Sequence, residues 1–230
     1  MAGDQERFPL LPIVTGLFVT VLVLTPSASS KFIAIDGYNI SGSTLFFPLS
    51  YLFNDILTEV YGYERSRRVI WVGFAAQIFA AAMYLLIQYL PPAPFWHNQE
   101  AYDTILGTAP RIVIGSLSAY FIGEFINSFI VSKLKYLASG RSGFALALRF
   151  VVSTIFGEFF DSAIFLTVGF YGVMSNNVLI QTILTIWIIK SAYEIVSLPI
   201  TIPFVAWIKR REGVDKIDRP GDTSYSPFKL

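Results

Sequence analysis

The sequence contains no cysteine among its 230 residues and only one histidine, His97. Without cysteine the chain can form neither a disulfide nor a thiolate metal site, which excludes thiol redox chemistry. A lone imidazole cannot supply the histidine pair of a metalloprotease, and the sequence has no glycine-rich phosphate loop. We therefore expect no metal, no cofactor and no catalytic residues, and we predict that the chain is not an enzyme.

Charge is also scarce. Charged residues make up 14% of the chain, against about 25% in an average soluble protein. Hydrophobic residues make up 54% and aromatic residues 16%, so the lipid bilayer is the expected surroundings. The net charge of +1 gives no overall field that would attract nucleic acid.

Six apolar stretches are each long enough to cross a membrane, which takes about 20 residues in a helix. They cover residues 8–29, 42–61, 68–90, 109–132, 144–171 and 178–208. We predict an all-α integral membrane protein with six transmembrane helices, which form a single domain over residues 1–208. The polar residues 209–230 are predicted to be a disordered cytoplasmic tail.

Basic residues follow every second stretch, and cytoplasmic loops are the ones that carry such an excess. They are Arg65, Arg67 and Arg68 after the second stretch, Lys133, Lys135 and Arg141 after the fourth, and Lys209, Arg210 and Arg211 after the sixth. The opposite connections hold little more than Lys31 and Arg111. Both termini are therefore predicted to face the cytoplasm.

Glycine and proline residues predict local features of the backbone. Asp36-Gly37 is a turn signal that favours a short hairpin or a re-entrant piece. Gly115 and Gly123 share one face of the fourth helix and predict close contact with a neighbouring helix. Pro48 is expected to kink the second helix.

Several polar side chains lie inside the apolar stretches, where a charged residue costs about 2.5–3.5 kcal/mol. These candidate substrate-binding residues are Asn54, Asp55, Glu59, Glu124, Asn127, Glu158, Asp161, Lys190 and Glu194. Three pairs are spaced three or four residues apart on one helix, so the two members of each share a face and point toward protein or water. They are Glu124 with Asn127, Glu158 with Asp161, and Lys190 with Glu194. We predict that four helices bring them together near the bilayer midplane, where transporters bind their substrates.

A purely structural salt-bridge network is the alternative interpretation. It would pair Lys190 with Glu194 or Glu158, and Arg149 with a carboxylate of the second helix. However, six acidic side chains face essentially one deep cation, so internal pairing cannot neutralise all of them. Some must be protonated, hydrated or engaged with a ligand, which favours a binding or proton-relay role.

Four sequence motifs resemble the queuosine precursor transporter family, also called the vitamin uptake transporter family. They read FPLSYLFNDILTEVYGYERSR at 47–67, GEFINS at 123–128, STIFGEFFDS at 153–162 and KSAYE at 190–194. The resemblance extends over about residues 31–212, with Glu64 at a position where a basic or polar residue is commoner. It implies a six-helix transporter of the bacterial inner membrane that imports the 7-deazaguanines preQ0 and preQ1.

Such a substrate has N–H donors that a carboxylate can accept and a carbonyl oxygen that needs a donor. Our hypothesis is that Glu158 or Glu124 accepts from the guanine edge, that Asn54 or Asn127 contacts the remaining edge, and that an aromatic ring of the second helix stacks on the base. Asp161 or Asp55 would suit the cationic aminomethyl group of preQ1. A secondary transporter is the leading interpretation. The alternative is the substrate-binding subunit of an ATP-driven importer of the energy-coupling-factor type, and a homodimer stays open.

Overall fold

The computed structural model describes residues 8–29, 31–35, 38–107, 110–173 and 175–229. The described residues form seven α-helices and one two-stranded antiparallel hairpin. The helices are α1 (Leu11–Ser29), α2 (Pro48–Tyr61), α3 (Tyr63–Tyr89), α4 (Gln99–Leu106), α5 (Pro110–Leu137), α6 (Phe144–Phe170) and α7 (Asn176–Glu212). The hairpin joins β1 (Phe32–Ile35) to β2 (Tyr38–Ser41), as expected for residues 31–43, although Asp36 and Gly37 themselves lie outside the described residues.

Five helical stretches of the described chain are long and apolar enough to cross a membrane. They are α1, α3, α6, α7 and the stretch that begins with α4 and ends with α5. The all-α membrane class is therefore confirmed. The second predicted span differs, because residues 42–61 form a 3₁₀ turn over Gly42–Leu45 and then the 14-residue helix α2. At 1.5 Å per residue α2 is only about 21 Å long. It is a short helix enclosed by the others, and every side chain from Asn54 to Tyr61 is buried.

α2 and α3 meet at a sharp corner with no loop between them. Gly62 alone separates the two helices, and its φ of +86° is a conformation that favours glycine. A Cβ at this position would also lie 2.6 Å from the side chain of Lys216. The predicted loop with Arg65 and Arg67 is therefore replaced by the first turns of α3, and Pro48 begins α2 at its first turn instead of kinking it.

The C-terminal segment, residues 213–229, packs against the helices, so the prediction of disorder was wrong. The Lys216 amide donates to the carbonyl of Val60 at 3.1 Å. The Asp218 carboxylate accepts from the Tyr63 amide at 2.8 Å and thereby caps the exposed N-terminus of α3. Arg67 donates to two carbonyls of the segment. Hydrogen bonds to the end of α2 and the start of α3 therefore hold the segment against the helices.

α5 and α6 cross closely because glycines face each other between them. The ideal Cβ positions of Gly123 and Gly157 each lie 3.1 Å from the other residue's carbonyl oxygen. The ring of Tyr51 from α2 closes over both, at 2.8 Å from the Cβ position of Gly157. Gly115 makes a similar approach to the carbonyl of Phe165, so the predicted close face of this helix is confirmed. The crossing brings the polar residues of α2, α5 and α6 together.

Replacing Gly157 by alanine is expected to destabilise the protein by about 1–3 kcal/mol, because the methyl group would overlap the Tyr51 ring. Gly169→Ala on the same helix is the matched control, since its Cβ position has no heavy atom within 4 Å. Thermal unfolding of both variants in detergent measures the difference. Equal melting temperatures for the two variants would contradict a tight α5–α6 crossing.

Candidate functional site

The structure buries the polar side chains that the sequence singled out. Eight of the nine are at most 6% exposed, and Lys190 retains 13% of its side-chain surface. Eight of the nine fall into three groups along the bundle, which we call the lysine triad, the amide layer and the Glu59 cluster. The triad is Lys190, Glu158 and Asp161; the layer is Asn54, Asp55, Glu124 and Asn127; the cluster is Glu59, Lys135, Arg149, Lys209 and Asp215. Glu194 lies one turn beyond Lys190 on α7.

The lysine triad joins α6 to α7. The Lys190 ammonium lies 2.8 Å from a Glu158 oxygen and 2.6 Å from an Asp161 oxygen. It also lies 4.0 Å from the centre of the Phe47 ring, which is a cation–π contact. Of the predicted structural pairings, Lys190 with Glu158 is formed. Glu194 instead has no hydrogen-bond partner among the described residues.

A cavity of about 640 Å³ lies against the triad, between α1, α3, α5, α6 and α7. Its wall is mostly apolar, and among its described lining residues the charged ones are Asp161 and Lys190. Phe47 and Phe165 contribute aromatic rings to it. A cavity of this size, with few polar groups in one place, is typical of a small-molecule site.

The amide layer lies behind the triad and centres on Asn54. The Asn54 amide donates to the Glu124 carboxylate at 2.6 Å, and its oxygen accepts from Ser66 at 2.6 Å and from Ser128 at 2.8 Å. The two serines were not singled out from the sequence. Ser128 lies four residues after Glu124 and therefore on the same face of α5, and this spacing could have predicted its place in the layer.

Acceptors outnumber donors in this interior. The Asn127 amide donates to one Asp55 oxygen at 2.6 Å, but several neighbouring oxygens have no hydrogen-bond partner in the described part of the chain. They are Asp55 Oδ2, Glu124 Oε1, Asn127 Oδ1, Glu158 Oε1 and both carboxylate oxygens of Glu194. An interior of this kind favours a guest that brings N–H donors or positive charge.

The Glu59 cluster is a compensated ion network at the other end of α2. Arg149 donates to both Glu59 oxygens, at 2.7 and 2.6 Å, in a bidentate pair. Lys209 adds a third contact at 2.5 Å, and Lys135 lies 3.6 Å away. The alternative pairing of Arg149 with a carboxylate of the second helix is therefore formed. Glu59 itself does not line the cavity.

Asp215 extends the cluster into the C-terminal segment. It pairs with Lys135 and, at 2.8 Å, with Lys209. Burial by itself would raise the pKa of the Asp215 carboxyl, but hydrogen bonds from the two lysines outweigh burial and lower that pKa below its ordinary value. These ion pairs therefore stabilise the fold at neutral pH, and their contribution is lost as the pH falls through the lowered pKa.

A membrane-embedded helical bundle with an apolar cavity and a buried polar centre defines the class of multi-pass membrane transporters. The comparison with known families agrees. A family model described as "Putative vitamin uptake transporter" matches residues 41–204, more than two thirds of the chain. The chain belongs to this family, which is a family of transporters and not of enzymes. It is thus a multi-pass protein of the kind that bacteria hold in the inner membrane.

Two curated bacterial relatives are similar to the chain, and both are named "Probable queuosine precursor transporter". The protein of Bacillus subtilis is 27% identical over 187 residues, which are 80% of this chain and 81% of the relative. The protein of Haemophilus influenzae is 24% identical over 136 residues, which are 59% of this chain and 54% of the relative. No solved structure matches. The family resemblance expected from the four motifs is therefore confirmed.

Glu59→Gln is expected to lower stability by about 3–5 kcal/mol, because it leaves the buried Arg149 without a carboxylate and leaves Lys209 with Asp215 alone. Asp215→Asn is the matched comparison in the same cluster. Its side chain is 43% exposed, so its loss should cost less than about 1 kcal/mol. Melting temperatures in detergent at pH 7 distinguish the two variants. A larger loss for Asp215→Asn would contradict the central position of Glu59.

Proposed function

We propose that the protein imports queuosine precursors, the 7-deazaguanines preQ0 and preQ1, through the cavity that ends at the lysine triad. The names of its relatives support this substrate class. The single structural observation that carries the proposal is a small-molecule cavity whose charged wall residues are a carboxylate and an ammonium, Asp161 and Lys190. The edge of a guanine-type base is complementary to this pair, since it donates from N1–H and from its amine and accepts at its carbonyl.

The positions of the residues suggest a role for each. Lys190 donates to the carbonyl of the base, and Asp161 or Glu158 accepts from its N–H groups. Glu158 retains an oxygen without a hydrogen bond for this purpose. Phe47, the residue directly before α2, lies in the cavity wall beside Lys190, so its ring can stack on the base. Asp161 also suits the cationic aminomethyl group of preQ1.

The amide layer supports this site from behind. Asn54 holds Glu124 through two contacts, to its side chain at 2.6 Å and to its carbonyl at 3.0 Å. Glu124 keeps one oxygen without a hydrogen bond, so it can accept from a substrate that moves deeper than the triad. Glu59 is not assigned to substrate, because three cations already compensate it.

Uptake of labelled preQ0 and preQ1 into liposomes that contain only this protein tests the function. We expect accumulation that unlabelled preQ0 competes away and that adenine does not. Binding in detergent without any uptake would point instead to the subunit of an ATP-driven importer, which needs a partner. Neither binding nor uptake of either compound would overturn the proposed substrate class.

Glu158→Gln is expected to weaken the binding of preQ0 about 10- to 100-fold, the loss of one charge-assisted hydrogen bond. The fold should tolerate the change because Lys190 keeps Asp161 at 2.6 Å. Glu100→Gln on the exposed surface of α4 makes the same chemical change away from the cavity and serves as the control. Titration calorimetry of both variants gives the affinities, and an unchanged affinity in Glu158→Gln would remove this residue from the site.

A further inference from the structure

Three polar residues lie deeper than the cavity and belong to none of its walls. On α2, α5 and α7 the cavity-lining residues end at Pro48, Tyr120 and Lys190. Asp55 and Asn127 lie about two helical turns farther along their helices, and Glu194 lies one turn farther. The three are at most 1% exposed. Asp55 and Asn127 belong to the amide layer, and with Glu194 they form the level between the lysine triad and the Glu59 cluster.

This level carries two carboxylates with unsatisfied oxygens. Asp55 has one oxygen bonded to the Asn127 amide at 2.6 Å and one without a partner. Both oxygens of Glu194 and the side-chain oxygen of Asn127 also lack partners in the described chain. Four unsatisfied acceptors in fully buried side chains are costly to leave without a donor.

The deep cations are engaged elsewhere. Lys190 pairs with Glu158 and Asp161, while Arg149 and Lys209 pair with Glu59. The charged groups around Asp55 are therefore mainly acidic. The acidic side chains near Asp55 are Glu194 on α7, Glu124 on α5 and Glu59 on α2. Across the bundle, α6 presents Glu158 and Asp161, both joined to Lys190.

We propose that Asp55 and Glu194, with Asn127, form a proton-binding site that couples proton movement to transport. A metal cation would need a fuller shell of oxygen ligands than two carboxylates and one amide supply. A single proton on one carboxylate gives the donor that the level lacks and removes the repulsion between the two acids. Asn127 holds Asp55 in place and fixes which of its oxygens stays available.

The position of the site fits coupling to a conformational change. It lies beyond the cavity, and on α2 the next turn after Asp55 carries Glu59, whose ion network closes that end of the bundle. In the protonated state the pair is neutral. When the Glu59 cluster separates, water reaches the pair and the proton leaves on that side, so proton transfer and substrate transfer occur in the same cycle.

This inference rests on the proposed function for its transport step, but proton binding can be measured without substrate. Potentiometric titration of the detergent-solubilised protein between pH 6 and pH 9 is the first measurement. We expect Asp55→Asn and Glu194→Gln each to bind about one proton fewer than the wild type, since an ordinary carboxyl would already be ionised throughout that range. Asp222→Asn and Glu100→Gln, both exposed, are matched controls and should titrate like the wild type. Identical curves for all five proteins would overturn the proposal.

A second experiment, on liposomes with labelled preQ0, tests whether proton movement is coupled to transport. Accumulation driven by an imposed pH gradient should fall at least 10-fold in Asp55→Asn and Glu194→Gln. The inference takes Asp55 and Glu194 out of the predicted substrate site, because neither lines the cavity. Binding affinity and gradient-free exchange against unlabelled preQ0 should therefore stay within about 3-fold of the wild type. Full gradient-driven accumulation in both variants, or accumulation that follows a sodium gradient at constant pH, would overturn the coupling site. If the wild type binds no preQ0 at all, the proposed substrate fails, while the titration still decides on the proton site.

Discussion

The rest of the structure depends on how buried charge is compensated inside an apolar bundle. A buried ion that loses its partner is costly in a low-dielectric interior, so the location of each cation decides where acidic side chains can lie. The described chain places one compensated network around Glu59 and one around Lys190. The first joins α2, α5, α6 and α7 at one end of the bundle, and the second joins α6 and α7 beside the cavity. The side chains between these two networks offer many hydrogen-bond acceptors and few cations.

The short helix α2 makes this distribution feasible. A helix that ends inside the protein leaves backbone groups that must find partners. At the end of α2 the Thr58 carbonyl accepts from the Gly62 amide and the Val60 carbonyl from the Lys216 amide, while Asp218 accepts from the first amide of α3. Because α2 is enclosed, both of its flanks can carry polar groups without contact with lipid. Its successive turns present Pro48 to the cavity, Asn54 and Asp55 to the middle, and Glu59 to the ion network. One short helix therefore contributes to all three levels.

Much of this arrangement was predictable from the sequence, and the remainder depended on tertiary contacts. The long apolar stretches and the three- and four-residue spacings predicted both the helical class and the shared polar faces, because these follow from helix geometry alone. The length of α2 was not predictable in this way, since the stretch 42–61 is long enough for a full span, while the ends of the helix are set by Gly62 and a 3₁₀ turn. The docked C-terminal segment was missed because its composition is polar, and its order comes from the helix ends and cations that it meets. Lys135 and Lys209 lie in stretches that looked like loops, yet their long side chains reach Glu59.

Under the proposed function, the excess of buried hydrogen-bond acceptors also gives a physical reason for selectivity between bases. Each unsatisfied buried acceptor costs about 1–3 kcal/mol relative to one with a donor, so a guest that brings donors to these oxygens is stabilised there. A guanine-type base brings N–H groups to these oxygens, and its carbonyl meets Lys190. An adenine-type base presents a ring acceptor where the guanine edge has N1–H, so two acceptors would face each other without a proton between them. Adenine would then be rejected mainly because polar groups are left unpaired, and less because of its shape. Unpaired polar groups are the stronger of these two means of discrimination.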